Sequence, residues 1–132
     1  MDKKENINLA LYRLDRAKQE NSNAKLLYKE KQYLAANNRA YYSIFYSIRA
    51  VLAMERIDFK RHKDVLAYFN QYYVKTEIFP RQLGRKIIVA SKVREDSDYD
   101  EEYEPSMQTT TIQIETADEL IKLVEEYLSK DE

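Results

Sequence analysis

Glycine occurs once in this chain, at Gly84, and proline twice, at Pro80 and Pro105, among 132 residues. Hairpins and tight crossovers draw on these two residue types for positive or fixed φ, so a sandwich, a barrel or a doubly wound sheet lacks its turn formers here. An all-α fold is expected. The length suits one hydrophobic core, and a 44% apolar content separates the chain from a disordered one, so a single helical domain over residues 1–132 is expected.

Apolar spacing divides the chain into five helices. Leu11, Leu14, Ala17, Ala24, Leu27 and Tyr28 recur near 3.6 residues and predict a helix from about Asn6 to Glu30, in phase across Asn21-Ser22-Asn23. Ala36, Ala40, Tyr41, Ile44, Phe45, Ile48, Val51 and Leu52 give the broadest apolar face, predicting a central helix from Gln32 to Glu55. A third helix is predicted from Lys60 to Val74, and a fourth begins at Pro80 and fades near Tyr99 to Tyr103. Pro105 and the run Thr109-Thr110-Thr111-Ile112 predict a loop. Thr116 with Glu119 three residues on forms a capping box ahead of Leu120, Ile121, Val124 and Leu128. The architecture expected is a bundle of four long helices plus a shorter C-terminal or connecting helix.

The net charge of −1 conceals segregation. Residues 1–55 balance to +4, residues 56–94 to +7 and residues 95–132 to −12. A basic middle and an acidic tail can pair within one fold, or the middle can face a polyanion. No cysteine is present, so disulfides and thiolate metal sites are excluded. No run reaches the length of a signal-peptide core or a membrane span, which makes a cytoplasmic protein without membrane attachment the expectation.

Several chemistries fail on inventory. One glycine rules out a phosphate-binding glycine loop, and zinc would have His62 as its only imidazole. No Glu-x-x-His pair for a di-iron bundle is present, because Phe59 stands three before His62. No metal or other cofactor is expected. The acidic run from Glu95 to Glu104 reads as a solvated loop. Arg39, Tyr42 and Tyr46 fall within about 60° of one helix face, while Tyr41, Ile44, Phe45 and Ile48 turn to the apolar side. An arginine among rings can hold a phosphate while a ring stacks on a base, or it can pair with a carboxylate while the tyrosines pack.

Three stretches in register carry a resemblance. Arg39-Ala40-Tyr41-Tyr42 leads into Phe45 and then Arg49-Ala50; Lys60-Arg61-His62-Lys63-Asp64-Val65 precedes a helix containing Phe69; and Arg94-Glu95-Asp96-Ser97-Asp98-Tyr99-Asp100 follows. Over roughly Leu11 to Leu128 the chain resembles the small stand-alone HEPN (higher eukaryotes and prokaryotes nucleotide-binding) domains. That resemblance implies a homodimeric helical bundle encoded beside a minimal nucleotidyltransferase. The HEPN member of such a pair is a toxin that cleaves RNA without metal, and the transferase is an antitoxin that can modify a tyrosine of its partner. It further implies an Arg followed after four to six residues by His at a cleft between subunits, with His62 at a recurrent position nearby.

Here Arg94 is followed five positions later by Tyr99, and no histidine lies in that segment. Cleavage through the 2′-hydroxyl needs a proton acceptor and a proton donor, tasks suited to imidazole and poorly to a phenol of pKa about 10. On a continuous helix Arg94 and Tyr99 stand about 140° apart, and Asp98 only about 40° from Arg94. Asp98 therefore either shares a site with Arg94 or holds it in an ordinary i, i+4 pair. The candidate catalytic residues are Arg94, His62 and Tyr99, and the candidate nucleotide or RNA ligands are Arg39, Tyr42, Arg94 and Asp98. Two readings stand: a nucleotide- or RNA-binding protein working with a nucleotidyltransferase, or a noncatalytic dimeric interaction module.

Overall fold

The Asp2 carboxylate accepts from the Glu5 amide at 2.8 Å and starts the first helix, α1 (Lys3–Lys29). The computed structural model describes residues 2–130; Met1, Asp131 and Glu132 of the expected domain lie outside the described residues. Helix α1 crosses Asn21-Ser22-Asn23 unbroken, as the apolar phase requires. Asn21 is 2% exposed, and its amide donates to Asp118 Oδ1 at 2.8 Å and to the Ile114 carbonyl at 3.4 Å.

Helix α2 (Tyr33–Ala53) runs antiparallel to α1 through the middle of the bundle. Ala10, Ala17 and Ala24 of α1 are fully buried, as are Ala36, Ala40, Ser43, Ser47 and Ala50 of α2. Their spacings of seven, and of four and three, put small side chains along one seam and let the two backbones approach closely. Ser43 Oγ donates to the Ala17 carbonyl at 2.7 Å across that seam.

The short helix α3 (His62–Phe69) continues as a π-helical turn over Asn70–Val74. Then come α4 (Gln82–Tyr99) and α5 (Met107–Ser129). Of the two possibilities for the shorter helix, the connecting one is found. The core gathers Ile44, Ile48 and Leu52 of α2, Leu83 and Ile87 of α4, and Leu120, Val124 and Leu128 of α5. Phe69, Tyr73, Phe79 and Tyr127 close one end, with Phe79 5.1 Å from Phe69 and 5.3 Å from Tyr127 between ring centroids. Among the described residues there is no strand, and no helix is long and apolar enough to cross a membrane.

Two expectations are corrected. The stretch from Thr109 to Ile112 is helical, and α5 starts at Met107, where Ser106 Oγ accepts from the Thr109 amide at 3.0 Å. Thr116 is 2% exposed inside the helix with its hydroxyl on the Ile112 carbonyl at 2.8 Å, so the expected capping box at Thr116 and Glu119 does not form. Turns also dispense with glycine: Lys31, Arg56 and Glu77 adopt φ of 60°, 58° and 63°, whereas Gly84 sits inside α4. A Cβ on Gly84 would stand 3.3 Å from Val74 Cγ1, so its use is close approach of α4 to the π turn.

The segregated charges meet within the fold. Acidic α5 pairs with α1 through Lys25 and Asp118 at 2.9 Å and through Lys18 and Glu125 at 2.8 Å, and with α4 through Lys86 and Glu119 at 2.8 Å.

Candidate functional site

Helix α2 presents Tyr41, Tyr42 and Phe45 toward the first turn of α3 and the C-terminal half of α4. The His62 ring stacks on Phe45 with 3.9 Å between centroids, lies 6.0 Å from Tyr41 at 21°, and meets Tyr42 edge-on at 6.0 Å. Its Nδ1 shares a 3.1 Å hydrogen bond with the Tyr41 hydroxyl. One ring nitrogen is thus fixed, and Nε2 stands outside that bond.

Burial of His62 disfavours its charged form, and Arg94 and Arg49 add to the effect, so its pKa lies below the ordinary value. The shift favours the neutral imidazole over the imidazolium. Tyr41 is 5% exposed, and burial pushes its pKa up to about 12 against the opposing pull of Arg94, so it stays protonated.

Arg94 comes from α4. Its guanidinium carbon lies 4.9 Å from the Tyr42 ring centroid and 5.6 Å from that of Tyr41, and its Nε donates to Asp98 Oδ2 at 3.0 Å. Burial works against its charge, but the Asp98 hydrogen bond and the neighbouring Tyr42 outweigh that and raise its pKa. Arg39 lies 5.2 Å from the same Tyr42 ring and donates to Glu20 Oε2 at 2.7 Å. Tyr42 is half-buried with its ring within 5.2 Å of both guanidiniums, each of which is held by a carboxylate, Glu20 or Asp98.

Arg39, Tyr42, His62 and Arg94 are therefore brought together, and Asp98 joins them through Arg94 in the i, i+4 pair. Tyr99 is not brought in. It is 89% exposed on an unbroken α4 and takes part in no hydrogen bond, ion pair or ring contact. Three residues of the patch escape sequence reasoning: Tyr41 and Phe45, which read as core, and Arg49, whose guanidinium carbon is 5.7 Å from the Phe45 centroid. Arg49 lies one helical turn after Phe45 in the same Arg-Ala-Tyr-Tyr stretch, the signal that points to it. In the acidic stretch, Lys92 pairs with Asp96 at 3.0 Å, and among the described residues no group of three or more His, Cys, Asp or Glu side chains is placed to hold a metal.

The family model of the HEPN domain matches residues 10–128. A UPF0332 protein of Thermotoga maritima is 37% identical over 86 residues, 65% of this chain and 65% of that protein. Two proteins of Methanocaldococcus jannaschii, each named a "putative toxin", are 36% identical over 78 and 74 residues; these stretches are 59% and 56% of this chain, and 58% and 50% of the relatives. The match thus spans less than two thirds of the length of each of these relatives. The family match takes in α2, α3 and α4 whole, and with them every residue of the Tyr42 patch: this chain belongs to the HEPN domain family.

Proposed function

We propose that this protein is a toxin-like RNA-binding member of a two-gene pair, acting as a homodimer in the cytoplasm beside a minimal nucleotidyltransferase. The observation that carries the reading is the grouping of the His62 imidazole with Arg94 and Arg39 around one ring, Tyr42. Two guanidiniums suit a phosphodiester, with their forks turned to its oxygens. His62 is the group able to take the 2′-hydroxyl proton and, as imidazolium, to return it through water to the leaving 5′-oxygen, and Arg94 the one able to offset charge developing on the non-bridging phosphate oxygens. The names of the archaeal relatives support the toxin-like character.

Fluorescence anisotropy with a labelled 12-nucleotide RNA at low salt tests the binding. Binding is expected for the native protein and at least tenfold weaker binding for Arg39→Ala with Arg94→Ala; unchanged binding overturns the reading. RNA cleavage in EDTA that disappears in His62→Ala supports catalysis. Co-expression with the neighbouring gene, followed by growth and RNA-integrity assays, tests the pairing.

A second reading, a noncatalytic interaction module, is favoured by Tyr99, which stands in solvent where the family pattern has a histidine. It predicts partner binding that is insensitive to His62→Ala and Arg94→Ala.

A further inference from the structure

The arginine–aromatic contacts do not stop at Tyr42. Arg16 lies 5.2 Å from the Tyr46 ring and Arg49 5.7 Å from the Phe45 ring, one turn further along α2 than the Arg39 and Arg94 contacts with Tyr42. The antiparallel register of α1 and α2 sets Glu20 against Arg39, Arg16 against Tyr46 and Arg13 against Arg49, whose carbonyl accepts from Arg13 at 3.0 Å. A row of guanidiniums follows this seam.

At its far end two arginines converge on one carboxylate. Asp58 Oδ2 is 2.8 Å from Arg49 and 3.7 Å from Arg13, while Asp58 Oδ1 accepts from the Phe59 amide at 2.9 Å. Arg16 stands one turn along α1 from Arg13, over the Tyr46 ring and hydrogen-bonded to Tyr12, while Glu20 of the same helix is bonded to Arg39. Arg49 Nε is buried without a hydrogen-bond partner. Burial and the neighbouring Arg49 depress the Arg13 pKa against the pull of Asp58, as expected where positive charge exceeds its counter-charge.

We propose that Arg13, Arg16 and Arg49 form a second phosphate subsite, continuous with Arg39, Tyr42 and Arg94, so that the ligand is a single strand of several nucleotides. The half-exposed Asp58 carboxylate occupies the place of that second phosphate in the free protein. The proposal rests on the RNA-binding reading above. From Tyr42 to Arg49 is seven residues, about 10 Å along the helix axis. At roughly 3.4 Å or more per phosphate this is at most about three nucleotide steps. Arginines resting on rings are held in place at little further entropic cost, and Tyr46 adds a face on which a base can stack.

The test compares uridine monophosphate with a labelled 12-nucleotide oligouridine, titrated from 50 to 200 mM salt. Arg13→Gln with Arg16→Gln removes two charges while keeping polar side chains at both positions. It is expected to weaken 12-mer binding about tenfold and to flatten the log–log salt slope by about 0.7 for each lost phosphate contact, leaving monophosphate affinity unchanged. Asp58→Asn, which removes the charge competing for Arg13 and Arg49, is expected to tighten 12-mer binding severalfold.

An unchanged 12-mer affinity and slope in the double glutamine variant, or no tightening in Asp58→Asn, overturns the second subsite while the Arg39 and Arg94 site stands. Failure of the native protein to bind either probe overturns the RNA-binding reading itself. Binding of an acidic polypeptide such as polyglutamate as tightly as the 12-mer overturns the nucleic-acid assignment of the seam.

Discussion

His62 and Phe45 stack with 3.9 Å between ring centroids and 24° between their planes, beside two guanidiniums. The surroundings hold the His62 pKa below its ordinary value of 6.5, so the unfolded chain binds this proton first. The corresponding stability is present above about pH 6.5 and is lost as pH falls through the folded-state value. His62→Gln is expected to remove the part of the acid-side decline nearest pH 6.5. Urea midpoints at pH 7.5 and 5.5 check this, and an identical drop in variant and native protein would assign the acid sensitivity to other groups.

Glu20 is 6% exposed and has Arg39 as its cation. Arg39→Ala leaves a buried carboxylate without its hydrogen-bonded cation. The expected cost is about 2–4 kcal/mol, below the usual value for a fully buried pair because the Arg39 side chain is 38% exposed. Glu20→Gln in the Arg39→Ala background is expected to restore most of it. A double-mutant cycle by chemical denaturation measures the coupling and separates loss of RNA binding from loss of fold.

Asn21 bridges α1 to α5 through Asp118 and the Ile114 carbonyl. Asn21→Ala is expected to cost about 1–3 kcal/mol, the loss of a buried amide with both acceptors left behind. Asn21→Asp sets two carboxylates at the 2.8 Å contact and costs more at pH 7. Repulsion raises their pKa values, so the deficit relative to native protein shrinks as pH falls toward 4. Melting temperatures at the two pH values test the sign.

Lys31 and Glu77 hold left-handed backbone that an L side chain adopts at a cost of about 1–2 kcal/mol. Glycine removes that cost but gives back about 0.5–1 kcal/mol of unfolded-chain freedom. Lys31→Gly and Glu77→Gly are each expected to stabilise by roughly 0.5–1 kcal/mol and to add when combined, read as a shift in urea midpoint at constant slope.

The helices were legible because α1, α2 and α4 keep an apolar phase that polar interruptions do not break. Asn21 shows why a weak helix former in the middle of α1 ends nothing: its amide serves α5. The start of α5 was not legible, because two Ser/Thr signals compete there. Ser106 follows Pro105 and caps, while Thr110, fully buried, and Thr116 return their hydroxyls to the carbonyls of Ser106 and Ile112 inside the helix. Burial of that face against α1 and α2 outweighs the low helix propensity of threonine. In the candidate site, the spacing of Arg39 and Tyr42 was readable on one helix, and so was the i, i+4 pair of Arg94 and Asp98. The meeting of His62 with Tyr41 and Phe45 was not, since it depends on how α3 returns across α2.

The alanine and serine seam between α1 and α2 sets more than stability. With the Ser43 hydroxyl bonded to the Ala17 carbonyl and neighbouring positions filled by single methyl groups, neither helix can slide or roll without breaking that bond or colliding. The arginines mounted on either side of it are graduations on a rigid ruler. Under the proposed binding mode, a strand would adjust its own backbone torsions to this spacing, and on the protein's side only side chains such as Asp58 would move while the helices keep their register.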